Sequence, residues 1–251
     1  MELPHTTKKQ KEIISKHILN FRFLNTHQIQ KLLNHKDPKT INTWLKKLTE
    51  NKYIGRDYKS TFGENHIPAI YYIGLNGIRY LKKYHNLDKD FAKRLYGEKD
   101  KSEKFKNHHV FLTDIYLELR KNKEYTYTYM PQFQLWEYEE LRELKTDAYI
   151  KKTKLKGQTK RYLLHLFDKY VKDFLLEYKV KQYIKFYYSD KWKEVFVSKN
   201  FPTVLFILPN TQKLSIIRKA IKKSHPQFPI SITTTKEMQT KGFTSNIWEE
   251  V

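Results

Sequence analysis

Apolar residues in the first third of the chain recur at helical spacing, whereas those of the second half fall into short continuous or alternating runs. Residues 7–21 set Ile13, Ile14, His17, Ile18 and Phe21 on one helical face. The stretch NTHQIQKLLNH starts with Asn25, a suitable N-cap, and repeats Ile29, Leu32 and Leu33 at the spacing of a second helix. DPKTINTWLKKLTENKYI predicts a third. Asp37 caps it, Pro38 takes the first helical position, and Ile41, Trp44, Leu45 and Leu48 line one side. The other side is polar and cationic, with Lys39, Thr40, Asn42, Thr43, Lys46 and Lys47. Two extended stretches follow, Tyr53 to Tyr58 and Ile70 to Ile73, bracketing a polar loop with Lys59, Gly63 and His66. A further helix is expected to start near Leu75.

Residues 86–107 are dominated by charge and hold few apolar anchors. A charged, partly helical linker is expected over 89–106, separating a domain of residues 1–88 from one of residues 107–251. HHVFLTDIYLELR reads as a helix offering Val110, Phe111, Ile115, Leu117 and Leu119 for burial. YTYTYM, LKTDAYIKK and KRYLLHLF read as strands, the last two joined by a turn at Gly157. KDFLLEYKV and PTVLFILPN read as further strands, the second apolar enough to be central. Between them an aromatic-rich helix is expected in KQYIKFYYSDKWKEVF. TQKLSIIRKAIKKS predicts a basic amphipathic helix, and FPISITTTKEM one edge strand and a short helix. This order defines an α/β domain with a mixed sheet behind a helical domain, and an α+β chain as a whole.

Charge changes the picture from fold to partner. Lys and Arg number 49 against 27 Asp and Glu, a formal net charge of +22, and 15% of residues are aromatic. A surface so positive collects polyanions, of which nucleic acid is the commonest. No apolar run approaches the roughly 20 residues that span a bilayer, and MELPHTTKKQKEII lacks the apolar core of a signal peptide. The absence of cysteine excludes disulfides and thiolate-bound zinc and fits a cytoplasmic protein. The order helix, helix, helix, hairpin, helix resembles the winged-helix DNA-binding domains, with helix-turn-helix spacing between the second and third helices. YYIGLNGIRYL is similar to the strand-to-helix passage Leu-Thr-x-x-Gly-x-x-Tyr-Leu of bacterial members. The resemblance implies double-stranded DNA as partner, the third helix as its reader, and a wing supplying Arg56, Lys59 and His66.

The second half resembles the restriction-endonuclease-like, PD-(D/E)XK, folds, which pair an Asp on one strand with an acid-x-Lys on the next. Glu177 and Lys179 in FLLEYKV stand two positions apart, on one face of the expected strand. The resemblance implies Asp147 as first acid, Glu177 as second, Lys179 as the lysine, and Glu118, or else Asp114, as a helix carboxylate. Asp147 and Glu177 would hold Mg²⁺ or Mn²⁺, which polarises a phosphate and acidifies a water that Lys179 orients. Glu-x-Lys also occurs at Glu50 to Lys52 and Glu143 to Lys145, and Thr146 stands where proline usually precedes the first Asp. The alternative for Glu177 and Lys179 is an ion pair on a strand edge. A relaxase-type tyrosine site is disfavoured, since His108 and His109 are adjacent on a helix and His165 stands alone on a strand.

Nearly end to end, the chain resembles the replication-relaxation family of plasmids and other mobile elements. The resemblance rests on HHVFLTDIYLEL, TDAYI, FLLEYKV and FPTVLFILPN. Members tend to read Pro-Asp at Thr146 and Asp147, and Glu-x-Asp at Glu177 and Lys179. The resemblance implies a role in replication or mobilisation and leaves two readings. One is a metal-dependent endonuclease or nickase directed by its winged helix. The other is a non-catalytic replication accessory or repressor, whose nuclease-like domain serves for contacts or homodimerisation.

Overall fold

Capping residues and buried isoleucines organise the first part of the chain. The computed structural model describes residues 7–58, 67–154, 157, 159–196, 198 and 200–251. Thr7 and Gln10 form a capping box that opens the consecutive helical pieces Lys8–Glu12, Ile13–Ile18 and Leu19–Phe21, the middle one π-helical. Ile13, Ile14, His17, Ile18 and Phe21 are buried, as their spacing predicts. Asn25 and Gln28 form a second capping box at the helix Thr26–Leu32. Asp37 accepts from the backbone N–H groups of Lys39 and Thr40 to start the helix Pro38–Glu50, which buries Ile41, Leu45 and Leu48. Three strands, β1 (Leu24–Asn25), β2 (Ile54–Asp57) and β3 (Ile70–Ile73), form an antiparallel sheet in the order β1-β3-β2. The helix Leu75–Tyr84 comes so close to β2 that a Cβ at Gly77 would collide with the Tyr53 carbonyl. Lys59, Gly63 and His66 lie outside the described residues.

The stretch 89–106 is partly helical, as expected, but it is packed rather than open. It contains the helix Lys89–Leu95, which buries Phe91, Ala92 and Leu95, and the first turn of the helix Glu103–Leu119. Arg22 donates to Glu98 at 2.5 Å, and both side chains are buried. Lys106 donates to Asp57 at 2.5 Å. Gln28 donates to the Val110 carbonyl and to Asp114, each at 2.8 Å. Charges that look like a solvated linker are therefore partly internal pairs. The chain divides into two compact units at 117/118, within the helix Glu103–Leu119, rather than near residue 88.

The second unit is built on a six-stranded sheet of order β4-β5-β6-β7-β8-β9. Strands β4 (Tyr125–Pro131), β5 (Ala148–Lys154) and β6 (Thr159–Leu166) form an antiparallel meander. Strands β7 (Thr203–Leu208) and β8 (Ile230–Thr234) continue parallel to β6, and β9 (Glu249–Glu250) closes antiparallel to β8. The strand expected at the edge in FPISITTTKEM, β8, is thus flanked on both sides. Parallel neighbours need a crossover connection. The helix Asp173–Tyr188 lies between β6 and β7 in sequence, and Thr211–Ser224 between β7 and β8. FLLEYKV is consequently the first half of a helix, which corrects the strand expected there. Leu176, Lys179, Val180, Tyr183 and Phe186 are its buried positions, at helical spacing. Phe174 and Tyr178, which make the stretch look like a strand, are 62% and 56% exposed. Leu176, Val180, Tyr183, Ile217 and Ile221 share one core with Leu163, Val204, Phe206 and Ile232 of the sheet. Among the described residues no helix is long and apolar enough to cross a membrane.

The Arg22–Glu98 pair provides a stability test, because removing one member leaves a buried charge without its counterion. Glu98→Ala should cost about 3–5 kcal/mol in denaturant unfolding. The double change Arg22→Met with Glu98→Leu should recover most of that loss. A single Glu98→Ala that unfolds like the wild type would show that the pair contributes little.

Candidate functional site

Two sets of side chains deserve the name of a site, one in each unit. In the first, the buried stripe of the helix Pro38–Glu50 leaves Lys39, Asn42, Thr43 and Lys46 exposed and Lys47 half-buried. Thr40 differs from expectation: its hydroxyl donates to Asp37 at 2.5 Å as part of the N-cap. That bond, with the backbone N–H groups of Lys39 and Thr40, holds the Asp37 carboxyl below its ordinary pKa. The Thr43 hydroxyl donates to the Lys39 carbonyl at 3.0 Å, so its methyl is the more available part. Lys46 stands 3.9 Å from Glu50, with both side chains largely exposed. A groove of about 690 Å³ separates this helix from the sheet and is lined by His27, Asn42, Lys46, Arg56, Tyr58 and Tyr71. Arg56 lies over the Tyr58 ring at 4.5 Å. The face therefore presents cations, an amide and aromatic edges to one concave surface.

In the second unit the residues brought together are Asp147, Lys179, His165, Thr146 and Tyr183. Asp147 precedes β5, and its Oδ2 accepts from the Leu166 backbone N–H at 2.8 Å. The β5–β6 register sets His165 beside it, with Nδ1 3.6 Å from Oδ2. Lys179 is buried and donates to the Leu144 carbonyl at 2.9 Å, satisfying the end of the short helix Glu139–Leu144. Burial pulls the Lys179 pKa from 10.5 down to about 8, while the Asp147 carboxylate pulls the other way. Thr146 and Tyr183 share a hydrogen bond at 3.3 Å, and burial pushes the Tyr183 hydroxyl pKa up.

Glu177 does not join this group. Two positions along a helix turn a side chain to nearly the opposite side, so Glu177 is exposed where Lys179 is buried. Glu118 is engaged elsewhere, accepting from the Thr244 backbone N–H at 3.3 Å beside Gly242. Asp114 accepts from Gln28 in the first unit. Strand β6, the neighbour of the Asp147 strand, carries no carboxylate from Thr159 to Leu166. Among the described residues no cluster of three or more His, Asp or Glu side chains is placed to hold a metal ion. Mg²⁺ needs several oxygen donors. Here one carboxylate is already bonded to a backbone N–H and lies within electrostatic reach of the Lys179 ammonium, so the residues do not fit the expected Asp147–Glu177 ion site. His165 was missed as a partner of Asp147, because only the strand register brings the two side by side.

A family model described as replication-relaxation matches residues 16–197, most of the chain, and the chain belongs to that family. Membership suggests a role in the replication or mobilisation of a plasmid or other mobile element. No curated protein matches the chain, and no solved structure does.

The buried lysine has a pH signature. Below pH 8 Lys179 is protonated whether the chain is folded or unfolded. Between about 8 and 10.5 the unfolded chain binds a proton that the folded one does not, so stability rises with pH. Chemical denaturation across this window should show a rise in wild type that Lys179→Met lacks. Equal pH slopes in the two proteins would place Lys179 in contact with water.

Proposed function

We propose that the protein binds double-stranded DNA through a winged-helix domain and serves a plasmid or other mobile element as a non-catalytic replication or mobilisation factor. The observation that carries this reading is the helix Pro38–Glu50, which buries Ile41, Leu45 and Leu48 and leaves Lys39, Asn42 and Lys46 exposed, the last two lining the Arg56 groove. A helix of this kind enters a major groove with polar side chains reaching base edges and lysines reaching phosphates. The preceding helix Thr26–Leu32, a short turn and the β2–β3 pair with Arg56 are the other parts of a winged helix. In the second unit the β4-β5-β6 meander with β7 parallel beside it supports the restriction-endonuclease-like reading of the fold. The non-catalytic reading is favoured because Lys179, rather than a second carboxylate, accompanies Asp147.

The test is fluorescence anisotropy with a duplex selected from a random pool and with a scrambled duplex. Asn42→Ala should weaken the selected duplex far more than the scrambled one, by about 1–3 kcal/mol. Lys46→Ala should weaken both alike and lower the slope of log affinity against log salt by about one charge. Binding to neither duplex, or variants indistinguishable from wild type, would remove the winged helix as the DNA-binding element.

A further inference from the structure

The hairpin of β5 and β6 carries an electrostatic arrangement that duplex binding by the first unit does not use. Its register sets Lys151 opposite Arg161 and Lys152 opposite Lys160, one like-charged pair on each face. Like charges directly opposite each other destabilise a strand pair. Among the described residues none of these four cations stands in a salt bridge; Arg161 acts electrostatically on the Tyr149 hydroxyl, and Glu124 acts on Lys152 from a distance. Lys152 lies over the Tyr125 ring at 3.8 Å. Lys154 extends the row.

The hairpin leads into a cavity of about 860 Å³, lined by Lys160, Arg161, Tyr187, Tyr188, Trp192 and Lys193 among others. Its wall is aromatic. Tyr187 is stacked on Trp192 with planes 8° apart, and Phe201 and Phe228 pack at its back. Tyr188 is 68% exposed and meets Tyr187 edge-on at 5.2 Å. Among the described residues one acid lines this cavity, Asp190, 2.8 Å from Lys193, and both of those side chains are more than half exposed.

We propose that the second unit binds single-stranded DNA, with phosphates tracking the hairpin cations and an unstacked base entering the Tyr188 cavity. Charge complementarity selects a polyanion, and the aromatic wall selects one with flat faces to stack. The volume falls within the roughly 300–1,000 Å³ of pockets that enclose small ligands. The proposal stands independently of the duplex-binding reading.

The test uses the full chain, a labelled oligothymidylate of roughly 16 nucleotides, and a labelled duplex of the same length. Lys160→Ala with Lys193→Ala should weaken oligothymidylate binding on the order of tenfold and flatten its salt slope by about 0.7 per charge, leaving duplex affinity nearly unchanged. Tyr188→Ala should weaken the single strand on the order of tenfold at an unaltered salt slope, and Tyr188→Phe should restore it. Lys46→Ala should do the reverse, weakening the duplex alone. Matching thermal melts of the variants exclude misfolding. Equal losses on single strand and duplex would reduce the hairpin to a general polycation, and no loss on either would overturn the site.

Discussion

The parallel step from β6 to β7 is the constraint on which the second unit depends. Strands that run the same way cannot be joined by a tight turn, so the chain between Leu166 and Thr203 has to travel back along the sheet. It does so as the helix Asp173–Tyr188, whose Leu176, Val180 and Tyr183 join the sheet core. Lys179 lies on that same side of the helix and is carried inside. There it closes the open end of the Glu139–Leu144 helix and sets a positive charge near Asp147. Glu177, on the other side, is left in solvent. The chemistry at Asp147 is therefore fixed by topology before any question of metal arises.

Across both units the buried charges have partners and the outward cations are concentrated on a few elements. Arg22 meets Glu98, Lys106 meets Asp57, and Lys179 meets a carbonyl beside an acid. Leaving any of these charges buried alone would be costly, so the sequence keeps the pairs. The cations of the Pro38–Glu50 helix and of the β5–β6 hairpin are not buried. Their placement on exposed, well-packed elements supports a reading in which they meet phosphates.

Legibility in the sequence followed the scale of the signal. Asp37-Pro38 with Ile41, Leu45 and Leu48 combines a cap and a period, and the helix lies where those residues predict. The AYI of TDAYI and the run TVLFIL likewise appear in strands, since continuous apolar runs between turns leave little alternative. FLLEYKV misled because Phe174, Leu175 and Tyr178 are apolar yet exposed, hiding the helical period of Leu176, Val180 and Tyr183. The acid-x-Lys spacing carried meaning only on a strand, so the expected site lost its geometry with the strand. Residues 89–106 misled in the opposite sense, because pairings such as Arg22 with Glu98 span 76 positions and leave no local mark. His165 beside Asp147 needed the β5–β6 register, which a local pattern does not supply.

Incubation of the purified chain with supercoiled plasmid, in Mg²⁺, Mn²⁺ or chelator, tests the central claim most directly. With Lys179 in place of a second carboxylate at Asp147, the plasmid should stay supercoiled in every condition at protein concentrations that retard duplex DNA. Nicked or linear product that needs the metal and disappears in Asp147→Asn would contradict the account and establish the endonuclease reading.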